Sequence, residues 1–527
     1  MRIFRQQIVA GVLVLQLVFG LFAPPLLAVV IGVDRYLEDV KFLSSDEMKG
    51  RGTGTKGLDR AAKYIAQQFE SAGLQYLNGG SYFQPFPVSI NARMGNGNGL
   101  RYSLDGVSAK LKLNEDFIPF NFTATGQAEG PVVFAGYGIT AKEYGYDDYA
   151  GLDVKDKIVL VLRHEPQEYD ADSLFEGRVY TEHSQLFSKA FNAKIHGARA
   201  ILLVNDAASH SSNSMEKFIS GVSPASPGIP FLQLKSEIVE KWFDASGRDF
   251  RAVQEDIDED LQPQSFEFPG SLRVRMDTDV HSESRMVNNV VGFLPGESDE
   301  YVVIGAHYDH LGAGEQYSLA QDKMGTPHPG ADDNASGTAG VIALARWFSA
   351  QPRMKRGIVF VAFAGEELGL LGSSFYANHS SLPIENAVAM INMDMIGRIR
   401  ENKVLVGGLS TGSGFSELLE RIKTKYPFTI DTVGHIYGSS DHTSFQTKLV
   451  PVLFFFSGLH EDYHKPSDTW DKINPAGASK LLEMIGEMAG ELANSPARPH
   501  YIRGLHSRAP ASSGAAAGGG RGAYVPF

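Results

Sequence analysis

From Asn288 onward the chain alternates short apolar runs with longer amphipathic stretches. "NVVGFL", "YVVIGAH", "IVFVAFA", "AVAMINMDM" and "VPVLFFFS" are continuous apolar segments of strand length, the pattern of strands buried on both faces. Between and after them, Ala335 to Ser349, Ser413 to Tyr426 and Pro475 to Leu492 carry helical periodicity. Such alternation predicts a layered α/β fold with a largely parallel central sheet. Arg35 to Gln75 reads as two amphipathic helices around a glycine-rich link, with Gly73 as a helix stop. The stretch from about Gly130 to Gln262 has a rhythm of its own. It offers strand-like "PVVFAGYGI", "KIVLVL" and "AILLVND", a helical run from Phe187 to His196, and the acidic "EDIDED", a solvated face or linker. A separate β-rich module inserted into a host domain accounts for this break.

The termini differ from the middle. Arg2 and Arg5, an apolar run from Ile8 to Ala23 and the small residue Ala28 follow the order of a secretory signal, with cleavage expected after Ala28. An uncleaved membrane anchor is the alternative, because apolar character continues to Val33. After Ser495 the composition drifts into "PASSGAAAGGGRG", a low-complexity linker. The expected domains are therefore a signal over 1–28, a host domain over 29–127 and 271–497, an insert over 128–270, and a linker over 498–527.

Bulk composition narrows the chemistry. A chain of 527 residues exceeds one ordinary domain. Its net charge of −13, without a Lys/Arg stripe, argues against a nucleic-acid partner. Cysteine is absent, so any metal must be held by His, Asp and Glu.

Several such residues stand where apolar runs meet polar or glycine-rich loops, the place where open α/β sheets bind ligands. "GAHYDHLG" supplies His307 and Asp309; the aspartate either orients the imidazole or forms an ordinary surface pair with it. In "HPGADDNASG", Asp332, Asp333 and Asn334 precede a helix. Capping explains one of them, while two adjacent carboxylates call for solvent or a cation. "AFAGEELGLLGS" brings Glu366 and Glu367 together, either as a solvated first helical turn or as one metal ligand and one general base. Asp394 is a lone charge in an apolar strand and needs a metal or an ion pair, with Arg398 as the simple candidate. "GLHEDYHKPSDTW" adds His460 and His464. Two histidines and three carboxylates suit two divalent ions, zinc first, with cobalt or manganese as substitutes. The implied reaction is hydrolysis, with an amide as the expected bond.

Taken in order, "GAHYDH", "PGADDNASG", "AFAGEELGLLGS", "INMDMIG", "SSDHTSF" and "YHKPSDTWDKI" resemble the motifs of the co-catalytic di-zinc aminopeptidase family. Its relatives include glutamate carboxypeptidases, glutaminyl cyclases and the transferrin receptor. The resemblance implies a three-layer sandwich with a mixed, largely parallel sheet. It implies two zinc ions per chain: His307 and Asp394 on one, Glu367 and His464 on the other, Asp333 bridging, with a cis peptide bond after Asp333. Glu366 would be the general acid/base and Asp309 the partner of His307. Tyr437 would steady the tetrahedral intermediate, and Tyr463 would border the pocket for the first side chain. The insert resembles a protease-associated (PA) domain, and the terminal "GAYVPF" the opening of a PDZ domain. An exported, periplasmic or secreted aminopeptidase acting on peptides is the leading expectation. A carboxypeptidase or dipeptidase of the same fold, a glutaminyl cyclase and a non-catalytic receptor are the alternatives.

Overall fold

The computed structural model describes residues 30–141, 144–170, 173–175, 181–206, 214–314, 317–433 and 440–502. The expected signal over 1–28, Tyr437 and the terminal "GAYVPF" lie outside the described residues. Among those described, no helix is long and apolar enough to cross a membrane.

Among the described residues, nine strands form the host sheet. Its centre is four parallel neighbours in the order Gly357–Phe363, Tyr301–His307, Ala387–Met393 and Val452–Phe456. Val280–Leu294 and then Phe83–Met94 extend one side antiparallel, while Lys403–Gly407 joins the other antiparallel and pairs in parallel with Thr429–Val433. The expected sheet is thus mixed, with its parallel part confined to the middle. Every residue of the Tyr301, Gly357 and Ala387 strands is buried, which is why they read as unbroken apolar runs rather than alternating ones.

Side chains alternate between two apolar layers. Val302, Ile304 and Ala306 face a core shared with helices Val33–Leu43, Lys56–Ser71, Gly337–Ser349, Phe415–Lys423 and Pro475–Asn494. Tyr301 and Val303 face the opposite layer, with Tyr376 and Phe445 from helices Leu371–Asn378 and His442–Gln446. Helices on both faces make the three layers. The strand Phe83–Met94 escaped the sequence reading because "FQPFPVSI" carries Pro85 and Pro87. Two prolines two residues apart share one side of a strand, so the ladder to Val280–Leu294 can run along the other.

The insert has its own sheet, running through Val107–Lys110, Gly99–Leu104, Arg273–Thr278, Gly126–Phe134, Ile158–Leu162, Ala200–Val204, Phe231–Leu234 and Phe117–Pro119. Helices Ser236–Ala245 and Phe250–Asp260 cover one face and Leu186–Ile195 the other. The expected limits of 128 and 270 therefore fall inside this body: strands between 99 and 119 and the strand Arg273–Thr278 hydrogen-bond within it. The physical boundary is where the host sheet closes. Met94 pairs with Val280, and the Gly95 amide donates to Asp279 O at 2.8 Å.

The "EDIDED" segment is helical rather than a linker. It ends Phe250–Asp260, capped by the Asp249 carboxylate, with Val253 and Ile257 buried and the other face solvated. Ile257→Ala is expected to lower stability by about 2–4 kcal/mol, whereas Glu259→Ala stays within about 0.5 kcal/mol. Equal denaturation midpoints for the two variants would return the segment to a linker.

Candidate metal centre

The four parallel strands place their carboxyl ends side by side, and the site assembles there. The chain runs from Tyr301–His307 to its neighbour on one side, Gly357–Phe363, then crosses to the other side for Ala387–Met393. That reversal is the switch point at which open α/β sheets bind ligands. His307 ends one strand, Asp394 follows another, and Glu366 and Glu367 follow the third after a tight turn at Gly365 (φ 76°).

Asp333 lies between two imidazoles. Its Oδ1 is 3.5 Å from His307 Nε2 and its Oδ2 is 3.3 Å from His464 Nε2. His307 Nε2 is also 3.3 Å from Asp394 Oδ1 and 3.8 Å from Glu366 Oε2, while His464 Nε2 is 3.1 Å from Glu367 Oε2. His307, Asp394 and Glu366 form one group able to hold a cation, and His307, Asp333 and Glu367 another. All six expected residues are thus brought together.

Local chemistry explains how "ADDNASG" divides its work. Asp332 Oδ1 accepts the Gly397 amide at 2.6 Å, and Asn334 Oδ1 accepts the Gly337 amide at 2.9 Å at the helix start. Asn334 Nδ2 donates to Met393 O, fastening the turn to the strand that carries Asp394. Capping is therefore done by Asn334, leaving Asp333 for the site. The Asp333–Asn334 peptide bond is cis, as the resemblance implied. The simple ion pair for Asp394 does not form: Arg398 pairs with Asp462 at 3.1 Å, and Asp394 Oδ2 instead accepts the Ser440 hydroxyl at 2.8 Å.

The two glutamates occupy different surroundings. Glu367 is 4% exposed and lies between His464 and His310; the side chain of Glu366 retains 15%. Burial drives Glu366 well above the usual carboxylate range, against the pull of His307. Burial acts on Glu367 too, but His464 and His310 outweigh it and hold that carboxyl well below the usual range. Burial opposes a charged His464, yet Glu367 and Asp333 raise it to about 11. His307 is likewise raised, chiefly by Asp394 and Glu366 against burial. Asp441, buried at the same end, is pushed up to about 7 by burial. A pocket that draws protons this strongly onto imidazole is built to hold positive charge. Its donors are only nitrogen and oxygen, the set suited to divalent zinc, cobalt or manganese.

One expectation changes in detail. Asp309 does not hydrogen-bond the His307 ring with its carboxylate, since Oδ1 is 3.8 Å from Nδ1, beyond hydrogen-bond range. The His307 Nδ1 faces the Asp309 carbonyl at 3.3 Å instead. The carboxylate accepts the Glu366 amide at 3.1 Å and the Thr53 hydroxyl at 2.9 Å, so it fixes the loop of Glu366. Tyr463 stacks on the His464 ring, with centroids 3.9 Å apart.

The sequence reading passed over Arg51 and His310. Arg51 is fully buried and donates to Leu43 O, Tyr308 O, Pro329 O and Gly330 O at 2.6–2.8 Å. Burial lowers it to about 10 against the pull of Asp333 and Asp309. It ties the loops after His307 and before Asp333 to the N-terminal segment. His310 was visible in "GAHYDH" but had no assigned task; its Nδ1 is 2.6 Å from Glu367 Oε1.

Residues 289–489 match the profile of peptidase family M28, and residues 128–242 that of the PA domain. Residues 289–489 belong to peptidase family M28. Aminopeptidase YwaD of Bacillus subtilis is 25% identical over 385 residues, which cover 69% of this chain and 70% of that protein. A probable leucine aminopeptidase of Arthroderma otae is 28% identical over 215 residues, covering 39% of this chain and little more than half, 57%, of its own length. Among solved structures, a zinc aminopeptidase from Bacillus subtilis aligns over 88% of this chain and 96% of its own at 21% identity, with a TM-score of 0.46. The M28 match takes in His307, Asp333, Glu366, Glu367, Asp394 and His464, and the PA match lies within the second sheet and its helices.

Arg51→Met would remove a donor from four carbonyls, of which Gly330 O alone is known to keep another, the Ala335 amide at 3.1 Å. Stability is expected to fall by about 3–5 kcal/mol. Arg51→Lys restores part of it, because an ammonium cannot reproduce the planar fork. A midpoint for Arg51→Met equal to wild type in denaturant titration rules out this bracing role.

Proposed function

We propose that this chain is an exported, zinc-dependent aminopeptidase that removes N-terminal residues from peptides, with two zinc ions per chain. The observation that carries the two-ion reading is Asp333, whose two carboxylate oxygens face different imidazoles, His307 and His464. A carboxylate so placed suits a bridge between two cations. His307 and Asp394 would hold one ion and Glu367 and His464 the other. A pair of such ions supplies an activated water and a Lewis acid for a carbonyl.

Glu366 is the residue for the proton. Its Oε2 is 3.8 Å from His307 Nε2, its side chain is the more exposed of the two glutamates, and its amide is fixed by Asp309. In this reading it takes the proton of the attacking water and returns it to the leaving amine. Tyr437 would support the oxyanion, and Tyr463, against His464, would border the pocket for the first side chain. The peptide substrate and the amino-terminal preference draw support from the M28 match and from the relatives' names. Export to the periplasm or outside the cell draws on the charged, apolar and small-residue order of residues 1–28.

The purified protein is expected to cleave amino-acid anilides, to spare N-blocked peptides and to lose activity to a chelator. Cleavage of blocked peptides from the carboxyl end alone would instead mark a carboxypeptidase, and activity that survives chelation would remove the metal from the reaction. Glu366→Gln is expected to retain both zinc ions by elemental analysis while turnover drops about 10²–10⁴-fold. Loss of an ion instead exchanges the roles of Glu366 and Glu367.

A further inference from the structure

We propose that His310 is a positioning residue for the second metal site: its Nδ1–H occupies Glu367 Oε1 and leaves Oε2, on the His464 side, as the ligand oxygen. The proposal rests on the two-zinc reading above. It starts from the two ends of one carboxylate. Glu367 Oε1 is 2.6 Å from His310 Nδ1, and Oε2 is 3.1 Å from His464 Nε2. A nitrogen that close to a carboxylate oxygen shares a hydrogen with it. Nδ1 then has no lone pair left for a metal, so this nitrogen acts on the ligand rather than as one.

The surroundings keep the ring in place. Its side chain is wholly buried, and the His310 amide lies 3.3 Å from Arg51 O. A Cβ added at Gly330 would meet His310 Cδ2 at 2.5 Å, and Gly330 has a φ of 54°, so the backbone lies flat against the ring where a side chain has no room. Among the described residues Nε2 has no hydrogen-bond partner, which leaves Glu367 as the ring's one hydrogen bond, with Asp333 Oδ2 3.7 Å from the same Nδ1. The same loop treats the other ligand alike: His464 Nδ1 faces the Tyr317 carbonyl at 3.0 Å. Both side chains expected on the second ion are thus oriented from the segment that follows His307. Outer contacts of this kind set the direction of a ligand and its basicity.

The test is calorimetric titration of metal-free protein with zinc, which does not depend on turnover. Wild type is expected to bind in two resolved steps. In His310→Ala one of the two steps should lose about 10–100-fold in affinity while the other is unchanged. His310→Asn, whose amide can stand near the Nδ1 position, should recover part of the loss, with the metal-free protein unfolding at the wild-type temperature. Two steps unchanged in His310→Ala overturn the proposal and leave the two-zinc reading standing. Equal weakening of both steps, without recovery in His310→Asn, makes His310 a packing residue and also overturns it. A single step in wild type overturns the two-zinc reading and this proposal together.

Discussion

Negative charge buried at the ends of parallel strands is the constraint around which this protein is arranged. Asp333, Glu366, Glu367 and Asp394 converge on two imidazoles, with Asp309, Asp332, Asp441 and Asp468 buried close behind. Removing one ion from water costs on the order of several kcal/mol, even after relaxation. Arg51 donates its hydrogen bonds to four carbonyls and offsets the carboxylates only through its field, and Arg398 pairs with Asp462. The remaining negative charge favours positive charge within the cage, as protons on His307 and His464 or as metal ions. The raised affinity of both imidazoles for protons expresses that demand.

Holding like charges together requires a frame that cannot relax outward, and the backbone supplies it. Asp468 Oδ2 accepts the amides of both Asp332 and Asp333, at 2.9 and 3.1 Å, and Thr338 ties its hydroxyl to the His307 carbonyl at 2.7 Å. Asn334 joins the Asp333 turn to the end of the Asp394 strand. Each ligand-bearing loop is thereby fixed to another one. The burial that pushes Asp468 up to about 6 follows from the same crowding, with Asp332 beside it.

The residues that were legible in the sequence are those whose type contradicts their setting: Asp394 in an apolar strand, two acids beside Asn334, two glutamates after "FVAFA". Strand and helix periods were legible for the same reason, because the buried parallel strands are apolar throughout. What was not legible acts across distance. Arg51 meets carbonyls 257 to 279 positions away, and Thr53 reaches Asp309 across 256. Nothing near "KGRGTG" announces such partners. His310 was hidden differently, as a histidine already inside a motif whose other members had tasks. The insert's limits were obscured because its first strands, such as Val107–Lys110, are mostly exposed and carry no apolar run.

The insertion itself follows from one feature of the host sheet. Phe83–Met94 and Val280–Leu294 are antiparallel neighbours whose last paired residues are Met94 and Val280, so the point of entry and the point of exit adjoin. A body placed between such ends leaves the host pairing intact, in the way that insertions are tolerated at hairpin tips. It is not held by those ends alone. Ser223–Pro224 returns to pair with Val88 and Ser89 on the host strand, a second attachment more than a hundred residues into the insert. The insert is thus fastened to the edge of the host sheet as well as at its two ends.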